Sequence, residues 1–457
     1  MDDHTSFIYI YFMRKKIMLI AALLSLASRA AAQHIWTLEE CINHAIEHNI
    51  SLQKTRANME TSAINISEQR GALLPSVSAS VQQGLIWRPL SESVSNIVNG
   101  SISSASANKA NYSGSYGVNA QWTVWNGGKR LMNIEQAQYS HDMAQLSLDE
   151  SANSISEQIA SRFVQILYMQ EALKVNEQLL EHDRALYERG KDMVGQGQMS
   201  RSELAQLEAQ VASGEYDVVQ TRTTIAENML SLKQLLELPP ADELSVKSVS
   251  IDDDAALQLI PQKEAVYEYA LEHRPEIKSC QTAIDQSRVS TRLAKAQRMP
   301  SVSLGAGFTD SHMSGNNDMG KQLKNNLSGN LSLGIAIPLF DQRQTRSSVA
   351  KAKVNETIAQ LDLADAQKTL YQTIETYWLN ANNSQQKFLA SRTNVRSLNT
   401  TYELLEDQFK LGMTDITNLL QGRSNLLTAQ QSCLQDKYTA VLNMLLLRFY
   451  QGEKFTL

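Results

Sequence analysis

The chain has 457 residues, a length that by itself suggests two or three globular domains, yet aromatic residues are only 6% of it and Pro occupies 8 positions. That composition suits long polar helices better than several compact cores. The net charge of -6 leaves no basic footprint for nucleic acid.

The first stretch reads as an address. Arg14, Lys15 and Lys16 precede an apolar run from Ile17 to Ala27, and Arg29 with Ala30-Ala31-Ala32 follows before Gln33. A basic region, an apolar run and small residues make a signal peptide over 1–32, with a mature start near Gln33 and Met13 as an alternative initiator to Met1. The run is shorter than the roughly 18 to 20 residues that a spanning helix needs. No Cys follows closely enough for an acylated N-terminus, and Cys41, Cys280 and Cys433 have no metal-like spacing.

Thr37-Leu38-Glu39-Glu40 has the capping-box pattern and predicts a helix to about Leu74, stopped by Pro75. A strand follows over about 75–87, with Val77, Ala79 and Val81 on one face. The Ser- and Asn-rich stretch from about Gln83 to Asn111 reads as a solvent-facing loop. A second strand covers about 112–125, where Tyr116, Val118, Ala120, Trp122 and Val124 alternate with Gly117, Asn119, Gln121 and Thr123. Gly127-Gly128 then punctuate the chain and a helical hairpin over 128–237 begins. Its first arm would span roughly 100 Å at about 1.5 Å per residue. Gly195 and Gly197 break that arm, and Ser200 or Ser202 can cap the return. In the return arm Leu204, Val211, Val218, Ile225 and Leu232 fall seven apart, the period of a left-handed coiled-coil seam. An inter-repeat linker fills 241–262, acidic from Ser248 to Asp254.

The pattern then recurs. Trp125 matches Phe340, Ala137 matches Ala352, Phe163 matches Trp378, Gly197 matches Gly412 and Leu204 matches Leu419, all at one offset. Upstream, Pro75-Ser76-Val77-Ser78 matches Pro300-Ser301-Val302-Ser303. The chain is a duplication, a first repeat over 33–240 and a second over 263–457. The second has strands over about 301–310 and 327–340, a polar loop between them, and a hairpin over 343–450. Pro275, at the place of Ile50, is expected to split its leading helix.

Four strands of about ten residues have the length of transmembrane β-strands. Alone they leave sheet edges that lipid cannot satisfy. Three copies would give a closed barrel of about twelve strands with an aqueous lumen, continued by the helices as an α-helical barrel. The competing class is a coiled-coil envelope scaffold that transports nothing, but a scaffold has no use for the strands. The sequence shows no nucleophile elbow, phosphate loop or metal box, so no enzyme is expected. Glu47-His48 and Glu272-His273 read as exposed helix residues rather than metal ligands.

The chain resembles the TolC-like outer-membrane efflux proteins from about Trp36 to Tyr450. The residues that carry the likeness are Leu74 to Ser78 and Met299 to Ser303 at the strand starts, Trp-Asn-Gly-Gly and Phe-Asp-Gln-Arg at the strand ends, and the Gly-containing hairpin tips before Leu-rich return helices. The resemblance implies a mostly α fold with a membrane β-barrel, built as a homotrimer. It implies a passive duct with no cofactor, set in outer-membrane lipid of a Gram-negative cell and reaching into the periplasm. The duct would be fed by a periplasmic adaptor and an inner-membrane pump of the RND, ABC or MFS type. The cargo would be small molecules or ions, with type I protein secretion as the alternative.

In the family, acidic rings lie six and nine positions beyond the second tip Gly. Those places hold Asn418 and Gln421 here, a departure from the pattern, and the first repeat gives Glu203 and Gln206. Asp415 and Glu203 remain as candidate negative rings that would favour cations. A helix start whose dipole favours acids is the other reading. Gly195, Gly197, Gly412 and Met413 are candidate docking tips. Trp122, Trp125 and Phe340 are candidate membrane-interface aromatics.

Overall fold

The computed structural model describes residues 35–87, 89–90, 93–98, 101–106, 110–249, 251–314 and 318–457, and the leader expected over 1–32 lies outside them. In chain order come β1 (Ile35–Trp36), α1 (Leu38–His48), α2 (Ile50–Gly71), β2 (Ser76–Trp87), β3 (Ser93–Val98), β4 (Ser101–Ser106) and β5 (Ala110–Trp125). Then follow α3 (Lys129–Gly195), α4 (Arg201–Leu235), β6 (Ser245–Val246), α5 (Asp253–Ala256), α6 (Lys263–His273) and α7 (Pro275–Ala296). The remainder is β7 (Ser301–Met313), α8 (Met319–Asn326), β8 (Ser328–Ala336), α9 (Gln344–Lys410) and α10 (Ile416–Tyr450). The fold is mostly helical. Helices α3 and α9 are each 67 residues long and α4 and α10 each 35.

Two compact units divide the chain. One runs to Lys54 and adds Asp149–Arg274 and Lys368–Leu457. Its core is a set of helical seams: Leu207, Val218 and Leu232 of α4 are buried, as are Leu419, Leu426, Ala440 and Leu447 of α10. Thr37 and Glu40 close a capping box on α1, Thr37 N donating to the Glu40 carboxylate at 2.9 Å and Glu40 N to the Thr37 hydroxyl at 3.3 Å. The other unit comprises Thr55–Leu148 and Pro275–Gln367. It holds a four-stranded antiparallel sheet in the order β2-β5-β7-β8.

Several expectations need correction. The helix predicted from Thr37 to Leu74 breaks at Asn49, whose extended backbone separates α1 from α2. The Asn49 side chain supports the break both locally and at long range: Oδ1 accepts from Ser51 N and Leu52 N, while Nδ2 donates to Leu235 O at 3.0 Å. In the second half Pro275 ends α6 and opens α7. The stretch over 83–111 is no plain loop, since β3 and β4 form a hairpin in it. Its counterpart carries α8, whose Gln322 side chain exchanges hydrogen bonds with both backbone groups of Met313, beyond the reach of β8. The strand expected to run to Phe340 stops at Ala336, because Pro338 offers no N–H to a ladder.

Candidate functional site

The sheet is two-faced and open-edged. On one face the register aligns Val77, Ala120, Ala306 and Leu331, then Ala79, Val118 and Phe308, with Trp122, Leu304 and Leu333 beside them. On the other it aligns Ser76, Gln121, Gly305 and Ser332, then Ser78, Asn119, Gly307 and Asn330. Val77, Val81, Val118, Phe308, Leu331, Leu333 and Ile335 are all exposed. A contiguous apolar sheet face left in water marks a surface made for another apolar medium. The outer strands β2 and β8 each have one unpaired side. They run in opposite directions, because each neighbouring pair in the sheet is antiparallel.

At the strand-to-helix junctions the aromatics take distinct places. Trp122 Nε1 donates to Leu73 O at 2.9 Å, tying β5 to the turn before β2. A bulge between Thr123 and Trp125 sets Trp125 opposite Val302, so Trp125 shares the apolar face with Trp122 although strict alternation would turn it away. Phe340 lies past the end of β8 and is 84% exposed. Arg130 reaches from the first turn of α3 to the carbonyls of Thr123 and Ala72.

The hairpin tips share one turn. Gly197 sits at φ 72°, its N–H on Val194 O at 3.0 Å and Gln198 N on Met193 O at 2.8 Å. Gly412 sits at φ 71°, with Gly412 N on Phe409 O and Met413 N on Gln408 O at 3.0 and 2.8 Å. This is the Schellman closure, which needs a residue free to adopt the left-handed region. Gly195 does not share that duty, since it is the last residue of α3. The surfaces offered differ: Leu411 and Met413 are 74% and 73% exposed, where the first tip has Gln196 and Gln198.

Both candidate ring carboxylates are engaged as caps. Glu203 accepts from Ser200 N at 2.8 Å and its own N–H donates to the Ser200 hydroxyl at 3.2 Å, a second capping box. Those Ser200 backbone and hydroxyl contacts hold the Glu203 carboxyl below its usual range, against the opposing field of Asp415. Asp415 caps α10 by accepting from Asn418 N at 2.8 Å. Each carboxylate retains an oxygen for solvent or ions. Gln206 and Asn418 are exposed, and exposed Gln421 donates to Asn425 one turn on.

Sequence reasoning missed a buried ion pair in the hairpins. Arg423 of α10 grips Asp183 of α3 through two nitrogens, Nε on Oδ1 at 2.7 Å and Nη2 on Oδ2, with side chains 6% and 2% exposed. The signal was present: Asp183 interrupts an apolar stripe between Leu180 and Leu186, and Arg423 lies between the seam residues Leu419 and Leu426. Also passed over was His44, four residues before His48, whose rings stack at 4.1 Å. Among the described residues no three His, Cys, Asp or Glu side chains gather as metal ligands, and no helix is long and apolar enough to cross a membrane.

The Outer membrane efflux protein family matches residues 41–237 and 266–453. The chain belongs to that family. Outer membrane protein TolC of Vibrio cholerae is 21% identical over 95% of this chain and 94% of its own length. TolC of Escherichia coli is 22% identical over 94% and 85%. The probable efflux pump outer membrane protein TtgC of Pseudomonas putida is 23% identical over 90% and 83%. Among solved structures, VceC from Vibrio cholerae superposes with a TM-score of 0.74 at 15% identity, over 92% of this chain and 97% of that one. The CmeC channel of Campylobacter jejuni gives 0.73 at 17% identity, over 91% and 86%. An outer membrane efflux protein of this kind resides in the outer membrane and extends into the periplasm.

Proposed function

We propose that the protein is the passive exit duct of a tripartite efflux system, closed as a homotrimer, and that it receives small molecules or ions from a periplasmic adaptor served by an inner-membrane pump. The observation that carries this reading is the open sheet. One face is apolar and exposed and the other is Ser, Asn, Gln and Gly, the division expected of a wall between lipid and a watery lumen. Its two edges run antiparallel to each other, so β8 of one copy can pair with β2 of the next, and three copies make about twelve strands with no free edge. The hairpin tips are the proposed docking surface, with Gly197 and Gly412 shaping the turn and Met413 and Leu411 offering contact. Glu203 and Asp415, each with a carboxylate oxygen to spare, are the proposed negative rings at the entrance. Asn418, Gln206 and Gln421 extend it as a polar lining that carries no charge.

The test is the full chain extracted from outer membranes in detergent. Its unheated form is expected to run as three chains and collapse to one on boiling, and in planar bilayers to open cation-preferring channels. A product that stays monomeric and soluble without detergent would rule the duct out.

A further inference from the structure

The two strand-to-helix junctions stand at matching places in the chain, α3 starting at 129 and α9 at 344, a step of 215, yet their side chains differ in kind. In the first, Arg130 spends its guanidinium on the Ala72 and Thr123 carbonyls, and Leu131 beside it is exposed and apolar. In the second, Thr345 stands where Arg130 would be and Arg346 where Leu131 would be, while Arg298 takes the place of Leu73. Beside Thr345 lies a half-open cavity of about 550 Å³ lined by Lys295, Arg298, Thr345, Arg346 and Val349.

Three cations therefore border one cavity. Arg298 acts on Asp341, whose carboxyl lies below its usual range chiefly through the Thr345 hydroxyl and N–H. Among the described residues Lys295 and Arg346 have no carboxylate partner. A fourth basic residue, Arg343, stands two positions before Thr345 at φ 67° and follows Gln342 at φ 52°, where the first junction has Gly127 and Gly128 at 72° and 78°. Residues with a Cβ enter that region only at a cost, and such strained positions gather at working sites. The apolar face of β8 leads to this junction through Leu333 and Ile335, and past the end of the strand Ile337, Leu339 and Phe340 are exposed as well. A ligand that satisfies both surfaces has acyl chains and an anionic head.

We propose that the cavity seats the phosphate of an anionic glycerophospholipid, such as phosphatidylglycerol, from the leaflet that faces the periplasm. The inference rests on reading the sheet as a membrane wall. Charge sets the preference: three basic groups favour a lipid with net negative charge over a zwitterionic one. Arg298 and Arg346 can each offer paired N–H donors to phosphate oxygens. The first junction has no such seat, because its guanidinium is already occupied by carbonyls.

The experiment uses the full chain in detergent, stripped of lipid and then offered phosphatidylglycerol or phosphatidylcholine, with bound lipid counted by native mass spectrometry. Lys295→Gln with Arg298→Gln and Arg346→Gln is expected to lower phosphatidylglycerol retention roughly a hundredfold, at about fivefold for each basic group near an anionic surface, and to leave phosphatidylcholine unchanged. Thr345→Arg places in the cavity a side chain as long as the Arg130 that stands at the matching position of the first junction. It is expected to lower phosphatidylglycerol retention although it adds positive charge, a result that a diffuse charge effect would reverse. Lys321→Gln with Lys324→Gln, on α8, should change nothing. Unaltered phosphatidylglycerol retention in the triple variant or in Thr345→Arg would overturn the proposal, as would complete displacement of the lipid by inorganic phosphate alone. Heat-modifiable migration of the same samples reports separately on the trimer, so unaltered phosphatidylglycerol retention by the variants in an intact trimer sinks only the lipid seat.

Discussion

The first half of the chain and the second half use one backbone plan and put different chemistry on it. Both tips close with a glycine near φ 71°, but one presents Gln196 and Gln198 and the other Leu411 and Met413. Both junctions pass through two successive left-handed residues, Gly-Gly in the first and Gln-Arg in the second. The buried ion pair takes Asp183 from the first half and Arg423 from the second, where the matching positions hold Leu398 and Glu208. At the tips and the junctions the two halves share backbone geometry and differ in side chains, while between the strands the backbone itself differs, a hairpin of β3 and β4 in the first half and α8 in the second.

Breaking the Asp183–Arg423 link should have the largest effect. Arg423→Ala leaves an unpaired carboxylate with a side chain 2% exposed and is expected to cost about 3 to 5 kcal/mol, read as a lower urea midpoint in detergent and faster proteolysis of the tips. Asp183→Leu with Arg423→Leu should recover most of that loss. Next comes Gly127→Ala, whose new Cβ would lie 2.5 Å from Met299 Cβ at a left-handed backbone position, with an expected cost of about 2 to 3 kcal/mol. The converse change sharpens the contrast between the junctions: Arg343→Gly should stabilise by about 1 kcal/mol by relieving φ 67°.

The tip glycines should separate in the same assay. Gly412→Ala is expected to cost about 1 to 2 kcal/mol. Gly195→Ala should instead gain about 0.5 to 1 kcal/mol, because Gly195 ends a helix and a Cβ there meets nothing within 4 Å. The smallest effect on stability belongs to Glu203→Gln with Asp415→Asn. Asn is as good an N-cap as Asp and Gln can complete a capping box, so stability should change by less than about 0.5 kcal/mol. Cation selectivity in planar bilayers should fall, and unchanged selectivity would remove both residues from the entrance. Because Glu203 titrates below its unfolded value, its cap is present above the ordinary carboxylate pKa and is lost as pH falls through the lowered one. Fraying of the first tip by acid should therefore be weaker in Glu203→Gln.

Much of the fold was legible because long-range periodicity survives in the sequence. The seven-residue seams, the Gly-containing tips and the strand alternation at Tyr116–Val124 depend on local geometry, and the structure has α4, the Schellman turns and β5 in those places. What escaped reading depended on tertiary contact. Asn49 breaks its helix partly by reaching Leu235, and Trp125 changes face through a bulge set by β7. Gln322 takes the part of a missing strand for Met313. None of these leaves a periodic trace. Glu203 and Asp415, the proposed entrance carboxylates, were picked out by analogy at the tips, but their capping bonds to Ser200 and Asn418 became visible only with backbone geometry in hand.

The central claim is that β8 of one chain pairs with β2 of another. The most direct measurement is disulfide trapping in outer membranes. Single cysteines would be scanned along Ser76, Ser78, Ser80 and Gln82 of β2 against Ser328, Asn330 and Ser332 of β8, in a background without Cys41, Cys280 and Cys433. Closure predicts that one register of pairs links chains into a species of three and no larger. Cross-links confined within single chains, or a ladder that extends past three, would contradict it.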